Sequence, residues 1–287
     1  MLTGRTQRSK ETYRSAINSF MNYFEIKTSK EFQKITYAHV IVFKNYLQKI
    51  EQSPRSVNNR LSALSSLFTH WMEHQIVFTN PVLSVRKMKI TADRIEAKVL
   101  TALEARKLLN TPNITKDQGM RDRAILGILF FTGCRVSELC NLKVKDFKEE
   151  QGFWILDFII KGGTKNDLAV NQELQIFIKE YLERSGHSGE EDFPLILPIK
   201  KNPDLNQIRF ITSRQIQRLW KRYTNISNIR GTTPHFARAT FITQALENKC
   251  PLDDVQKSVG HSQIKTTQLY DKRGKKHRDS ASFAVRY

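Results

Sequence analysis

Apolar residues recur at helical spacing through residues 1–88, and that period restricts the N-terminal part of the chain to amphipathic helices. Between Thr12 and Phe24 they are Tyr13, Ile17, Phe20, Met21 and Phe24. A second helix is expected from Tyr37 to Ile50, with Val40, Ile41, Phe43, Tyr46 and Leu47 on its stripe. Ser53-Pro54 starts a third, carrying Val57, Leu61, Leu64, Leu67, Phe68 and Trp71, until Asn80-Pro81 breaks the pattern. A capping hydroxyl followed by proline at the first helical position is a strong start signal, because both features suit backbone N–H groups that have no partner inside the helix.

Residues 1–88 hold 13 Lys and Arg against five Asp and Glu, a net charge of +8. The whole chain has 287 residues with 47 Lys and Arg against 28 Asp and Glu, so it carries +19. An excess of that size points to a polyanionic partner. Nucleic acid is favoured over a membrane, since no apolar run approaches the roughly 20 residues of a bilayer span. Met1-Leu2-Thr3-Gly4-Arg5 leads into a polar segment, unlike a signal peptide. The three cysteines, Cys134, Cys140 and Cys250, form no CxxC pair. A reducing, cytoplasmic setting is therefore expected. The sequence has neither an HExxH or Cys/His cluster nor a GxxxxGK[ST] loop, so no metal or other cofactor is implied.

Residues 89–98 lack a clear apolar period and read as a basic linker. Thr101 with Glu104 three residues later is a capping box that restarts helix. An apolar helix over Arg121–Phe131 ends at Thr132-Gly133, and Arg135-Val-Ser-Glu138-Leu139 opens a short one. Arg135 and Glu138 share a face and can pair. A cation in a first helical turn opposes the helix dipole, which makes sense if an anionic ligand joins it. Phe153-Trp-Ile-Leu-Asp-Phe-Ile-Ile160 is rich in strand formers, and Lys161-Gly162-Gly163-Thr164-Lys165 follows, so a hairpin with Lys161 at or near its tip is predicted. Lys165 competes for any role given to Lys161.

Thr233-Pro234 predicts another helix start, with His235 and Arg238 one turn apart on one face and Ala237, Phe241 and Ala245 on the buried stripe. Pro251 opens a helix with Leu252, Val255 and Val259 inward; Gly260 ends it, and His261 follows. A last helix from Gln263 to about Lys272 would carry Tyr270. Two arginines can fork onto phosphate oxygens, a lysine can protonate a leaving oxygen, and histidines can bond a phosphate or relay protons. A tyrosine can be the nucleophile.

The ordered set Thr-Gly-Cys-Arg135-Val-Ser-Glu138-Leu, the hairpin lysine, His235-Phe-Ala-Arg238, Gly-His261 and Thr266-Thr267-Gln-Leu-Tyr270 resembles the tyrosine recombinase (phage integrase) family. The likeness extends over nearly the whole chain. One departure is Ala239, where many members have histidine. The resemblance implies a mainly α fold with a small β-sheet. It also implies a two-domain, C-shaped clamp. Residues 1–88 would be the helical core-DNA-binding domain. Residues 99–287 would be a mixed α/β catalytic domain with a C-terminal tail. It implies DNA strand cleavage and rejoining through a 3′-phosphotyrosyl intermediate, with Arg135, Lys161, His235, Arg238, His261 and Tyr270 as the catalytic set and Glu138 as support. It further implies double-stranded DNA as the partner, self-association into a tetrameric synapse on it, and a tail in which Phe283, Ala284 and Val285 dock on a neighbouring subunit, where the residues alone equally allow a frayed terminus.

Two other readings stay open on the sequence alone. One is a topoisomerase of the same chemistry that relaxes supercoils as a monomer. The other is a non-catalytic regulator, in which residues 251–259 and 262–272 form a helix-turn-helix. That second reading leaves Arg135, Lys161 and Tyr270 unexplained as a set.

Overall fold

The computed structural model describes residues 7–50, 52–89, 99–160, 163–198 and 209–271. The chain divides into two compact units, Met1–Asp93 and Arg94–Tyr287. Lys161, residues 90–98 of the expected linker and the tail with Phe283, Ala284 and Val285 lie outside the described residues. Among the described residues no helix is long and apolar enough to cross a membrane.

The first unit contains α1 (Gln7–Tyr23), α2 (Ser29–Gln33), α3 (Tyr37–Lys49) and α4 (Pro54–Glu73). Phe20, Phe32, Phe43 and Phe68, one from each helix, are buried with Leu47, Leu61 and Leu64. The Phe20 and Phe43 rings meet edge to face at 5.0 Å, the arrangement that opposes a ring edge to a π-face. Ser53 caps α4 by accepting the Ser56 N–H at 3.2 Å. The short α2 was not anticipated; Thr28 and Glu31 form a capping box at its start. The chain after Asn80-Pro81 stays packed on the unit. Val82 and Val85 are buried, and Asn58 on α4 exchanges two hydrogen bonds with the Met88 backbone, at 2.9 and 2.8 Å.

The second unit runs α5 (Ala102–Asn110), α6 (Asp117–Thr132), α7 (Val136–Leu139), a 3-10 turn at Val144–Asp146, β1 (Phe147–Glu150), β2 (Phe153–Ile159), β3 (Lys165–Ala169), α8 (Gln172–Ser185), α9 (Ser213–Ile226), α10 (His235–Glu247), α11 (Leu252–Ser258) and α12 (Ile264–Gln268). The strands form an antiparallel sheet in the order β1-β2-β3, with Leu156 opposite Phe147 on one side and Leu168 on the other. The hairpin predicted across Gly162-Gly163 is β2–β3, and β1 adds an unanticipated third strand.

Helix α6 is buried around most of its circumference and is the axis of the core. It starts at Asp117, four residues before the expected Arg121, and within it Arg121 and Asp122 are buried as a mutual ion pair. Asp122 also accepts the Tyr223 hydroxyl at 2.8 Å, which ties α6 to α9. A β-carbon at Gly127 would lie 2.8 Å from the Phe177 ring, so α8 crosses α6 where the latter has no side chain.

Candidate active site

The site is assembled on main-chain turns. Helix α6 ends at Gly133, whose φ of +62° favours glycine, and a β-carbon there would come within 2.6 Å of Phe241 Cδ1 on α10. That tight turn delivers Arg135 as the N-cap of α7, one position before the helical turn expected for it. Glu138 answers the dipole problem locally. Its carboxylate accepts the Arg135 backbone N–H at 2.7 Å and the Arg135 Nη1 at 2.6 Å. Glu138 is buried, whereas the Arg135 side chain is about a third exposed.

Arg238 lies inside the protein, at 2% exposure. The sequence spacing put it on a helix face beside His235; the structure puts it on the buried side of α10. Its Nη1 donates to the Gly133 carbonyl at 2.8 Å and its Nη2 to the Val259 carbonyl at 2.7 Å. Arg135 Nη2 donates to the neighbouring Gly260 carbonyl at 3.4 Å. The two guanidinium groups therefore brace the same pair of turns. Burial, then the charge of Arg135, pulls the Arg238 pKa down to about 10, which leaves it protonated at neutral pH.

Helix α10 begins at His235 with Pro234 as its cap, and no side chain makes a cap bond there, so the anticipated Thr233 cap does not form. The buried stripe also differs. Ala237 is inside as expected, but Phe241 and Ala245 are only half-buried, and Ile242 and Leu246 fill the deeper positions. Of the inward residues expected on α11, Val255 and Val259 are buried and Leu252 is half-buried.

Helix α12 is shorter than predicted and stops at Gln268. The Tyr270 N–H bonds the Thr267 carbonyl at 3.0 Å and the Asp271 N–H bonds the Gln268 carbonyl at 3.1 Å, so the chain tightens into turns that return three residues back. Tyr270 thus sits just past the helix, half-buried against Ile242, Leu246, Val255 and Val259. Its hydroxyl lies 3.5 Å from His235 Nε2, and its ring is nearly parallel to that of His261, with centroids 6.4 Å apart.

Both histidines sit in a positive field. Burial first, then the charges of Arg238 and Arg135, lowers the pKa of His235 and takes that of His261 down to about 4. Both rings are consequently neutral in the free protein at pH 7. His261 Nδ1 is 2.9 Å from the hydroxyl of Thr267, a fully buried residue. Thr267 lies inside the Thr266-Thr267-Gln-Leu-Tyr270 motif, yet the sequence reading gave it no role.

The hairpin is anchored beside this cluster. Asn166 Nδ2 on β3 donates to the Ser258 carbonyl at 3.0 Å. A β-carbon at Gly260, whose φ is +61°, would be 3.2 Å from Ile160, so the base of the turn packs on the residue before His261. The Ile160 N–H bonds the Thr164 carbonyl at 2.9 Å, and the Gly163 N–H returns to the Ile160 carbonyl at 3.0 Å. Lys165 is exposed at the start of β3, paired with Ile159. The structure therefore gathers Arg135, Glu138, His235, Arg238, His261 and Tyr270 into one place in one unit, with Ile160 and Asn166 of the β2–β3 hairpin packed beside it.

Residues 98–277 match the family described as "Phage integrase family", and residues 2–77 match "Phage integrase, N-terminal SAM-like domain". A TnP I resolvase of Bacillus thuringiensis is 25% identical over 93% of this chain and 89% of its own length. A tyrosine recombinase XerC of Thermodesulfovibrio yellowstonii is 28% identical over 96% of this chain and 88% of its own. Among solved structures, the XerH site-specific recombinase bound to its difH substrate in a pre-cleavage complex has a similar fold. Its TM-score is 0.70 at 21% identity, over 95% of this chain and 78% of that one.

Proposed function

The chain belongs to the phage integrase family, and from that membership we propose that it is a site-specific DNA recombinase whose nucleophile is Tyr270. The observation that carries this reading is the Tyr270 hydroxyl 3.5 Å from His235 Nε2, in the field of Arg135 and Arg238. The Tyr270 oxygen attacks a backbone phosphorus. A new P–O bond forms to the phenol, the P–O bond to the 5′ oxygen breaks, and a 3′-phosphotyrosyl ester remains. Attack on that ester by a second 5′-hydroxyl reverses the chemistry on a new partner strand. One ester replaces another at each step, so the reaction needs no external energy source.

The remaining residues divide the work by their chemistry. Arg135 and Arg238 each retain N–H groups beyond those bonded to carbonyls and carboxylate, and these stabilise charge on the non-bridging oxygens. Neutral His235 accepts the phenolic proton. His261 bonds a phosphate oxygen. Lys161 protonates the departing 5′ oxygen, with Lys165 as its competitor for that step. Glu138 holds Arg135 in place.

Recombination between two duplexes breaks four strands, and each chain carries one Tyr270. A tetramer on DNA is thus part of the proposal, with residues 1–88 serving as a DNA-binding domain and the tail as an intersubunit contact. A cytoplasmic setting goes with a DNA substrate and three unpaired cysteines.

The test is to express the full chain in cells, trap covalent protein–DNA adducts under denaturing conditions and sequence the attached DNA. The wild type is expected to yield adducts at one recurrent site and Tyr270→Phe none. Adducts that persist in Tyr270→Phe remove this tyrosine from the role, and adducts scattered without a preferred sequence favour a relaxing topoisomerase.

A further inference from the structure

The hydrogen bond between His261 and Thr267 determines which ring nitrogen holds the proton. A neutral imidazole has one bare and one protonated nitrogen, and the partner of the first decides the state of the second. His261 Nδ1 is 2.9 Å from Thr267 Oγ1. Two arrangements fit that distance. Either the hydroxyl donates to a bare Nδ1, or a protonated Nδ1 donates to the hydroxyl oxygen. The second leaves the hydroxyl hydrogen without an acceptor, because Thr267 is fully buried and its hydroxyl has no other partner among the described residues. A buried donor without an acceptor keeps its whole desolvation cost, so the first arrangement wins.

We propose that Thr267 is a positioning residue that fixes His261 with its proton on Nε2, so that the ring meets a phosphate oxygen as a neutral hydrogen-bond donor. This deepens, and rests on, the reading of His261 as a phosphate-binding residue. Nε2 has no hydrogen-bond partner among the described residues and is free to donate. The backbone around the ring is clamped as well: the His261 N–H bonds the Gln256 carbonyl at 3.1 Å, and Gln256 Nε2 returns to the His261 carbonyl at 2.9 Å. Thr267 also accepts the Tyr270 N–H through its own carbonyl at 3.0 Å. One buried residue thus links the tautomer of the histidine to the turn that presents the nucleophile. The groups facing His261 are Arg135, Arg238, His235 and Tyr270. The two cations and the burial keep the ring neutral, which a tautomeric device requires.

The experiment is nitrogen NMR of the full-length, DNA-free protein labelled at histidine, near pH 7, with His261→Gln used to assign the resonances. A bare ring nitrogen resonates far downfield of a protonated one. Wild type and Thr267→Ser are expected to show a bare Nδ1 and a protonated Nε2, and Thr267→Val to lose that bias. In parallel, cleavage of a nicked DNA site is expected to slow by at least about tenfold in Thr267→Val, with DNA binding unchanged and most of the rate restored in Thr267→Ser. A wild-type proton on Nδ1, or the same tautomer in Thr267→Val as in wild type, overturns the proposal. If the wild type makes no covalent adduct but shows the expected tautomer, the recombinase reading fails while the tautomer assignment stands.

Discussion

A guanidinium at 2% exposure persists at Arg238 because two main-chain carbonyls, Gly133 and Val259, take its N–H groups. Lysine keeps the charge but not the fork that reaches both turns. Arg238→Lys is therefore expected to lower the unfolding free energy by about 1–3 kcal/mol for the carbonyl left unpaired, read from urea midpoints. Covalent adduct formation should fall by roughly 10²-fold or more for the lost charge-stabilising donor. A second prediction concerns pH. His261 is held at about 4 in the folded chain against about 6.5 when unfolded. Between those values the unfolded state binds more protons, so stability rises with pH across the window. Its contribution is complete above about pH 6.5 and lost as pH falls through 4. Urea midpoints at pH 7 and pH 5 should differ less in His261→Asn than in wild type. The identities of both residues stood in the sequence as part of an ordered motif. The depth of Arg238 did not, since its acceptors are carbonyls that every residue type carries.

Local signals located most elements and misplaced some of their ends. The Thr101–Glu104 capping box, the Ser53-Pro54 start and the Gly133 stop appear where residue chemistry put them. The start of α6 was missed because Asp117, Gln118 and Gly119 ahead of Arg121 are polar or glycine, which local propensity reads as loop. The early end of α12 leaves no mark in composition; it is decided by where Tyr270 packs on α10 and α11. At this scale Gly133→Ala is the informative change. It imposes a β-carbon 2.6 Å from the Phe241 ring at a φ of +62°. An expected loss of about 1–3 kcal/mol combines backbone strain with overpacking, measurable by thermal or urea unfolding. Adduct formation should fall with it, because the Gly133 carbonyl is one of the two acceptors holding Arg238. Ser53→Ala, which removes the α4 cap, should cost about 1 kcal/mol in the same assay with cleavage intact.

For the molecule as a whole the governing quantity is its charge of +19. If DNA binding neutralises about six to ten phosphates, the affinity should drop by roughly 10³- to 10⁵-fold between about 50 and 200 mM salt. Fluorescence anisotropy with a labelled duplex checks this, and a flat response would remove DNA as the partner. The amino-acid order by itself determined the helical N-terminal segment, the hairpin, the basic character and the ordered motif from which the reactive residues are proposed. Those are properties of side-chain type and short spacing, which a linear chain displays directly. Only the tertiary structure decided the burial of Arg238, the joint bracing of two turns by both arginines, and the pairing of His261 with Thr267. Those depend on carbonyls and hydroxyls brought together from distant positions, and the contacts exist only once the helices around α6 have packed.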